Sequence, residues 1–341
     1  MAERTVTSPA PEESDKQFEA ALRPTRLADF TGQRKVKEIL SISIEAARLR
    51  GEALDHVLLY GPPGLGKTTL ANIVANELAA GFEQTSAPIL QKKLDLTGVL
   101  SNIKAHQVFF IDEIHRVLPD LEEMFYAALE DFRVDILIGT GPGARTHSLP
   151  LPRFTAIGAT TRQGMLSAPL RGRFGLLLRL NPYDVDDLET IVRRSARLLD
   201  VQVDLEGGKE IARRARGTPR IANRLLRRVR DFAQVRADGK ITIGVAKDAL
   251  DLLEVDRHGL DEIDRKIMMT IIQKYGGGPV GINTIAASID EEASTIEDVY
   301  EPYLMQLGFL DRTRQGRMAT VHAFEYFGMP RPLTSGQPSL F

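Results

Sequence analysis

Residues Gly61 to Thr69 read G-P-P-G-L-G-K-T-T. They follow the apolar run Val57-Leu58-Leu59-Tyr60 and precede a helix-like run from Leu70 to Ala80. A strand, a glycine-rich turn and a helix in that order form a P-loop, and such a unit belongs in an α/β sheet. Glycines such as Gly64 and Gly66 let successive backbone N–H groups turn inward around phosphates. The helix start adds its positive dipole end. Lys67 can reach the β- and γ-phosphates, the Thr68 hydroxyl can sit on Mg²⁺, and Thr69 completes the cradle. The expected cofactors are ATP and Mg²⁺.

Composition narrows the class. A chain of 341 residues suggests two or three domains. With 43% hydrophobic and 26% charged residues it reads as an ordinary soluble globular protein. A formal net charge of −2 predicts no polyanion partner from bulk electrostatics, so nucleic-acid binding must come from local patches. Without cysteine there is no disulfide, thiolate metal site or cysteine nucleophile, which fits a reducing compartment. No apolar run approaches the ~18 residues of a membrane span. The polar N-terminus has no signal-peptide core, so a cytoplasmic protein without a membrane partner is expected.

Residues 1–17 and 331–341 are expected to be disordered. Over 18–183, apolar strands alternate with helical patterns, at Val57–Tyr60, Phe82–Ser86, Val108–Ile111, Phe154–Gly158 and Leu176–Leu180. This predicts an α/β large domain with a parallel sheet covered on both sides. Residues 133–151 break the alternation and read as a β-hairpin with a turn at Gly139-Thr140-Gly141-Pro142-Gly143. It is either an ordinary sheet edge or a projecting hairpin whose Ile136-Leu137-Ile138 run docks a partner.

From 184 to 256 the pattern is purely helical, a small all-helical domain. Between Arg193 and Arg230 there are twelve Lys/Arg and four Asp/Glu. That excess is either a solvated face paired to a neighbour's acids or a direct DNA contact. Residues 257–330 show three helical segments and two short β-like runs, Phe309 to Thr313 and Arg317 to Val321, around Gln315-Gly316. This is the layout of a winged helix, which binds DNA or protein. Only its wing is basic, through Arg312, Arg314 and Arg317.

Phosphoryl transfer needs a charge cradle, a metal, a positioned water and neutralisation of the transition state. Phe109-Phe110-Ile111-Asp112-Glu113 is an apolar strand ending in two acids, the Walker B pattern. Asp112 would hold Mg²⁺ and Glu113 would polarise the attacking water. His115 either senses the γ-phosphate or caps a packed turn, and the turn is favoured. Thr161, with Thr160 as runner-up, would touch the γ-phosphate from the adjoining strand. Arg173, with Arg171 as runner-up, is placed to enter a neighbouring subunit's site as an arginine finger. Arg220, in Gly217-Thr218-Pro219-Arg220, either reaches back to the nucleotide or merely opens a surface helix.

Together these motifs resemble the AAA+ ATPases. Leu22-Arg23-Pro24, Asp29-Phe30-Thr31-Gly32-Gln33, the P-loop, Asp112-Glu113-Ile114-His115-Arg116, Gly158-Ala159-Thr160-Thr161-Arg162 and the run from Gly217 to Arg224 are similar to the RuvB family of bacterial Holliday-junction branch-migration motors. The resemblance spans about residues 18–330. It implies that Leu22 and Arg23 line the adenine side and that Tyr183 sits near the base or ribose. Glu130-Asp131-Phe132 would lie at the nucleotide-bearing subunit interface. Arg173 would be the finger and Arg220 the second sensor. The hairpin would bind a RuvA tetramer, Arg312 and Arg317 would contact DNA phosphates, and RuvC resolvase would join the larger complex. Two departures matter: Ala293 stands where some relatives carry a basic residue, and Thr161 stands where many AAA+ proteins have asparagine.

The expected protein is a homo-hexameric ring ATPase that pulls duplex DNA and branch-migrates Holliday junctions. One alternative is an ATP-switched DNA-binding module of replication-initiator type. The projecting hairpin and the helix opened by Arg220 argue against it. The other is a protein-remodelling machine, which usually carries an aromatic pore loop and no winged helix. Such a loop is not found here.

Overall fold

The computed structural model describes Thr7, residues 16–138 and residues 145–330, with side chains throughout except at residues 16, 17, 137 and 138. The hairpin turn at Gly139–Gly143, the rest of the N-terminal segment and the tail after residue 330 lie outside the described residues. So do the side chains of Leu137 and Ile138. The described residues fall into two compact units, one over 16–183 and one over 184–330 that also includes Thr7.

The first unit opens with α1 (Lys16–Leu22) and α2 (Arg34–Arg50), then runs β1 (Val57–Tyr60), α3 (Lys67–Glu77), β2 (Phe82–Ser86), α4 (Lys93–Ser101) and β3 (Val108–Asp112). It continues with α5 (Pro119–Glu130), β4 (Arg133–Ile138), β5 (Arg145–Pro150), β6 (Thr155–Thr160), α6 (Ala168–Gly172) and β7 (Leu176–Arg179). Five strands form one parallel sheet in the order β2-β3-β6-β1-β7. β3 and β6 are buried without alternation because helices cover both faces, as parallel sheets require. Phe109, Phe125 and Phe154 are fully buried in the core beneath α5. Truncating any of them to alanine would cost about 3–5 kcal/mol.

Among the described residues β4 and β5 pair only with each other, so the hairpin is not an edge of the main sheet. Val134 is buried in the core and Ile136 packs half-buried against it. The inner end of the hairpin is therefore anchored in its own domain.

The second unit begins with α7 (Val185–Leu198), β8 (Gln202–Val203), α8 (Leu205–Arg214), α9 (Pro219–Arg236), β9 (Lys240–Ile241) and α10 (Ile243–Leu252). Leu188, Val192, Ile221, Leu225 and Val229 form the buried faces at helical spacing. The region is not purely helical, since β8 and β9 pair in parallel between the helices. Two residues per strand are too few to leave an alternation in the sequence.

Next come α11 (Glu262–Met269), which continues through a π-turn to Lys274, and α12 (Ile282–Ile289). The third helical segment is α13 (Ala293–Thr295), a π-turn over Ile296–Tyr300 and α14 (Glu301–Gln306). The ribbon is β10 (Leu310–Arg312) and β11 (Arg317–Ala319), antiparallel, and α15 (Val321–Tyr326) follows. This is a winged helix around Ile267, Ile271, Ile285, Tyr300 and Phe309.

Candidate functional site

The sheet puts the chemistry at the C-terminal ends of three adjacent strands, β1, β6 and β3, where open α/β sheets bind ligands. Gly61 leaves β1 at φ 143°, and a Cβ there would lie 2.4 Å from the Leu180 carbonyl oxygen, so the turn admits only glycine. Gly66, at φ 97°, caps α3 with its flank against the Phe30 ring. Lys67 is buried, and its ammonium donates to the carbonyl oxygens of Gly61 (2.8 Å) and Pro62 (2.9 Å). Phosphate oxygens can replace those carbonyls without the side chain leaving the loop. Thr68 and Thr69 stand in the first turn of α3, whose N–H groups face the same space.

The segment before the sheet is strapped to this helix. Asn76 Nδ2 donates to the Thr25 carbonyl (3.0 Å), and Glu77 accepts the Leu27 N–H (2.8 Å). Gln33 and Asn181 exchange two hydrogen bonds, of 2.6 and 3.1 Å. Leu22 is buried and Arg23 half-buried at the head of that strap. The Tyr183 hydroxyl donates to the Leu65 carbonyl within the P-loop at 3.3 Å. Phe30, which fills the space behind Gly66, carries no signal of that role in the sequence.

At the end of β3 the Glu113 N–H donates to Asp112 Oδ1 at 3.0 Å, which fixes the carboxylate's rotation. Glu113 itself holds φ 51°, the left-handed region, at a cost of about 1–2 kcal/mol. That turn aims its side chain back across the sheet. Thr161 Oγ1 donates to Glu113 Oε2 at 3.5 Å, and His115 Nδ1 lies 3.2 Å from the same oxygen. Burial raises the Glu113 pKa first and the Asp112 charge raises it further. Lys67 and the Thr161 hydrogen bond oppose them. Thr160 is fully buried, lies 3.0 Å from His115 Nδ1 and accepts the Arg162 N–H. The two threonines are thus separated: Thr161 reaches the carboxylate and Thr160 braces the turn. The His115 side chain, almost wholly buried, lies between Thr160 and the Glu113 carboxylate.

Arg173 follows α6. Its guanidinium meets Glu130 (2.8 Å), the Pro169 carbonyl (2.7 Å) and the face of Tyr126 (4.3 Å to the centroid). It borders a cleft of about 790 Å³ that is also lined by His56, Glu130, Phe132 and Arg153. This cleft is assembled from widely separated segments, so the sequence gives no sign of it. Asp131 pairs with Arg133 at 3.3 Å. Phe132 packs edge-on against Phe154 and beneath Arg153.

In the second unit Arg220 stands in the first turn of α9, half-buried. Much of the basic excess around it is consumed internally. Arg193, Arg213, Arg214, Arg216 and Arg230 all form ion pairs within the unit, so these charges are offset inside the same chain. The wing separates its arginines. Arg312 is 52% exposed beside Glu297. Arg317 is buried, with Nη2 2.9 Å from the buried Glu301. The expected DNA contact through Arg317 is therefore replaced by an internal ion pair. Arg314 lies exposed at the ribbon's turn.

Thr68 and Asp112 offer hard oxygen donors, which suits magnesium. Among the described residues no three His, Cys, Asp or Glu side chains gather as a self-contained metal site. Such an ion would therefore share its coordination with nucleotide phosphates. No described helix is long and apolar enough to cross a membrane.

Comparison with known proteins covers nearly the whole chain. Residues 22–180 match the family described as the Holliday junction DNA helicase RuvB P-loop domain. Residues 183–256 match the RuvB AAA lid domain, and residues 257–328 the RuvB C-terminal winged helix domain. The chain is 71% identical over 342 residues to the Holliday junction branch migration complex subunit RuvB of Solibacter usitatus (strain Ellin6076), covering 100% of this chain and 99% of the relative. Its identity to the same-named subunit of Koribacter versatilis (strain Ellin345) is 62% over 336 residues, covering 98% and 93%. The solved Thermotoga maritima RuvB Holliday junction branch migration motor superposes with a TM-score of 0.83 at 48% identity, covering 92% of this chain and all of that one.

Proposed function

Because the chain belongs to the RuvB family, we propose that it is an ATP-driven DNA translocase that branch-migrates Holliday junctions in recombination and repair. The observation that carries this reading is the unbroken similarity across P-loop, lid and winged-helix regions. An ATP-switched initiator would share the P-loop and a winged helix but not this lid.

In the proposed reaction Lys67 exchanges the Gly61 and Pro62 carbonyls for β- and γ-phosphate oxygens. Glu113, made more basic by burial and then by the Asp112 charge, orients the attacking water, and Thr161 holds Glu113 in place. Thr68 and Asp112 would hold magnesium, which when bound neutralises charge on the phosphates. Leu22, Arg23 and Tyr183 form the base and ribose side. Arg173, with Glu130 and Asp131 beside it, acts on the nucleotide of the next subunit, and Arg220 is the lid's cation that answers nucleotide state.

The working assembly is a homo-hexameric ring. Arg312 and Arg314 on the wing grip DNA phosphates without reading sequence, so the grip is salt-sensitive. The hairpin, through the Ile136-Leu137-Ile138 run, docks a RuvA tetramer on the four-way junction, and RuvC resolvase joins the larger complex. ATPase activity with and without circular duplex DNA, a four-way junction and RuvA tests the reading. Stimulation by DNA, and junction dissociation only with RuvA, is expected. Turnover indifferent to both DNA forms would sink the translocase reading.

A further inference from the structure

The guanidinium of Arg173 is fixed by more than its charge. α6 has only five residues, so little of its own structure holds the arginine that follows it. The ring of Tyr126, on α5, lies beneath the guanidinium at 4.3 Å. Glu130, one helical turn further along α5, takes Nη2 at 2.8 Å. These two supports differ in kind. The Glu130 side chain is 63% exposed, so its ion pair is weak and yields to a more highly charged partner. Tyr126 is instead locked.

Three oxygens make that lock. The Tyr126 hydroxyl donates to Glu122 Oε2 at 2.6 Å. The Ser167 hydroxyl donates to the same Oε2 at 2.8 Å and lies 3.1 Å from the tyrosine oxygen. Ser167 is also the N-cap of α6, accepting the Leu170 N–H at 3.3 Å. One carboxylate therefore ties the tyrosine to the start of the very helix that Arg173 follows. Burial, and then the hydrogen bond to Glu122, raise the phenol's pKa, so it remains a neutral donor. The Arg173 Nε has no hydrogen-bond partner among the described residues, so the ring face, not a donor–acceptor pair, supports that part of the side chain.

We propose that Tyr126 is a positioning residue for the arginine finger, held by Glu122 and Ser167 so that Arg173 keeps its aim when it exchanges Glu130 for phosphate oxygens on the neighbouring subunit. A polyphosphate carries more charge than one exposed carboxylate and displaces it. The aromatic face binds the guanidinium without competing for its N–H groups. Removing the shelf costs turnover without touching the nucleotide pocket of the same subunit. The proposal rests on the reading of Arg173 as a finger acting in trans.

The test compares Tyr126→Leu, Tyr126→Phe and Arg173→Ala in the full chain, each alone and mixed with Glu113→Gln. Tyr126→Leu should lower kcat about tenfold, the scale of a desolvated cation–π contact, with the KM for ATP unchanged. Tyr126→Phe keeps the ring and loses the tether, so its loss should be smaller. Each variant should fold, shown by retained nucleotide-induced thermal stabilisation. Glu113→Gln subunits still offer an intact finger, so adding them should restore activity to Tyr126→Leu as they do to Arg173→Ala. Mixing Tyr126→Leu with Arg173→Ala should restore nothing, because both lesions lie on the finger side. If Arg173→Ala is not rescued, the trans reading falls and this proposal with it. If Arg173→Ala is rescued while Tyr126→Leu keeps wild-type kcat, shows a raised KM alone, or is not rescued, the finger stands and the role of Tyr126 is overturned.

Discussion

Thr161 Oγ1 lies 3.5 Å from Glu113 Oε2, so the residue after β6 steadies the carboxylate after β3. Glu113→Gln should leave ATP binding intact and lower kcat by about 10²–10⁴, the usual contribution of a general base. Thr161→Val keeps the carboxylate and removes its donor. A hydrogen bond to a charged group is worth about 1.5–3 kcal/mol, so kcat should fall about 10–100-fold. Single-turnover hydrolysis, with nucleotide affinity measured separately, checks both. A Thr161→Val chain hydrolysing at the wild-type rate would remove that residue from the site.

Lys67 holds two carbonyls of its own loop, so its ammonium is already placed before any phosphate arrives. Lys67→Ala should abolish turnover and nucleotide affinity. For the wild type, ligand at a hundred times Kd adds about 2.7 kcal/mol of stability. The variant should lose this ATP-dependent rise in Tm. A preserved rise would show that nucleotide binds elsewhere.

The wing's arginines should behave oppositely when truncated. Arg317→Ala leaves the buried Glu301 without its closest cation, at a cost of about 3–5 kcal/mol, so the winged helix should unfold at lower temperature. Arg312 pairs with Glu297 at half exposure, and such surface pairs are worth about 0–1 kcal/mol. Arg312→Ala with Arg314→Ala should therefore keep Tm and basal ATPase activity while losing DNA stimulation and flattening its salt dependence. Wild-type DNA stimulation in that double variant would take the wing out of the mechanism.

The P-loop, the Walker B acids and the two threonines at the end of β6 were legible in the sequence because each is short and its chemistry fixes its spacing. The strands were legible because a doubly covered sheet needs uninterrupted apolar runs, as in Val57–Tyr60 and Val108–Ile111. What was hidden depends on long-range partners. Arg317 sits in a β-like run near two other arginines, and nothing nearby in the chain announces Glu301 beneath it. Phe132 follows two acids, and nothing nearby in the chain announces the Phe154 ring and the Arg153 guanidinium that pack against it. Tyr126 looks like one more residue on an amphipathic helix, and its role depends on Ser167, forty-one positions later.

Asp264 allows a prediction about pH. It is fully buried, and with Asp261 it shares a single guanidinium, that of Arg216. Burial pushes its pKa up, Arg216 opposes this and Asp261 adds to it, with the result at about 8. The folded carboxyl thus holds a proton between roughly pH 4 and pH 8 that the unfolded chain releases. Where the folded state binds more protons, stability falls as pH rises, here by up to ~1.4 kcal/mol per unit, and levels off above the folded pKa. Asp264→Asn is neutral at every pH and can still accept from Arg216 and from the Asp261 N–H, which Asp264 accepts at 3.0 Å. The wild type should therefore lose stability relative to the variant from pH 5 to pH 8, and the variant should be the more stable at pH 8. Thermal unfolding of residues 184–330 within the full chain, followed at pH 5, 6.5 and 8, measures the difference. Parallel curves for the two proteins would mean that Asp264 is ionised in the folded state.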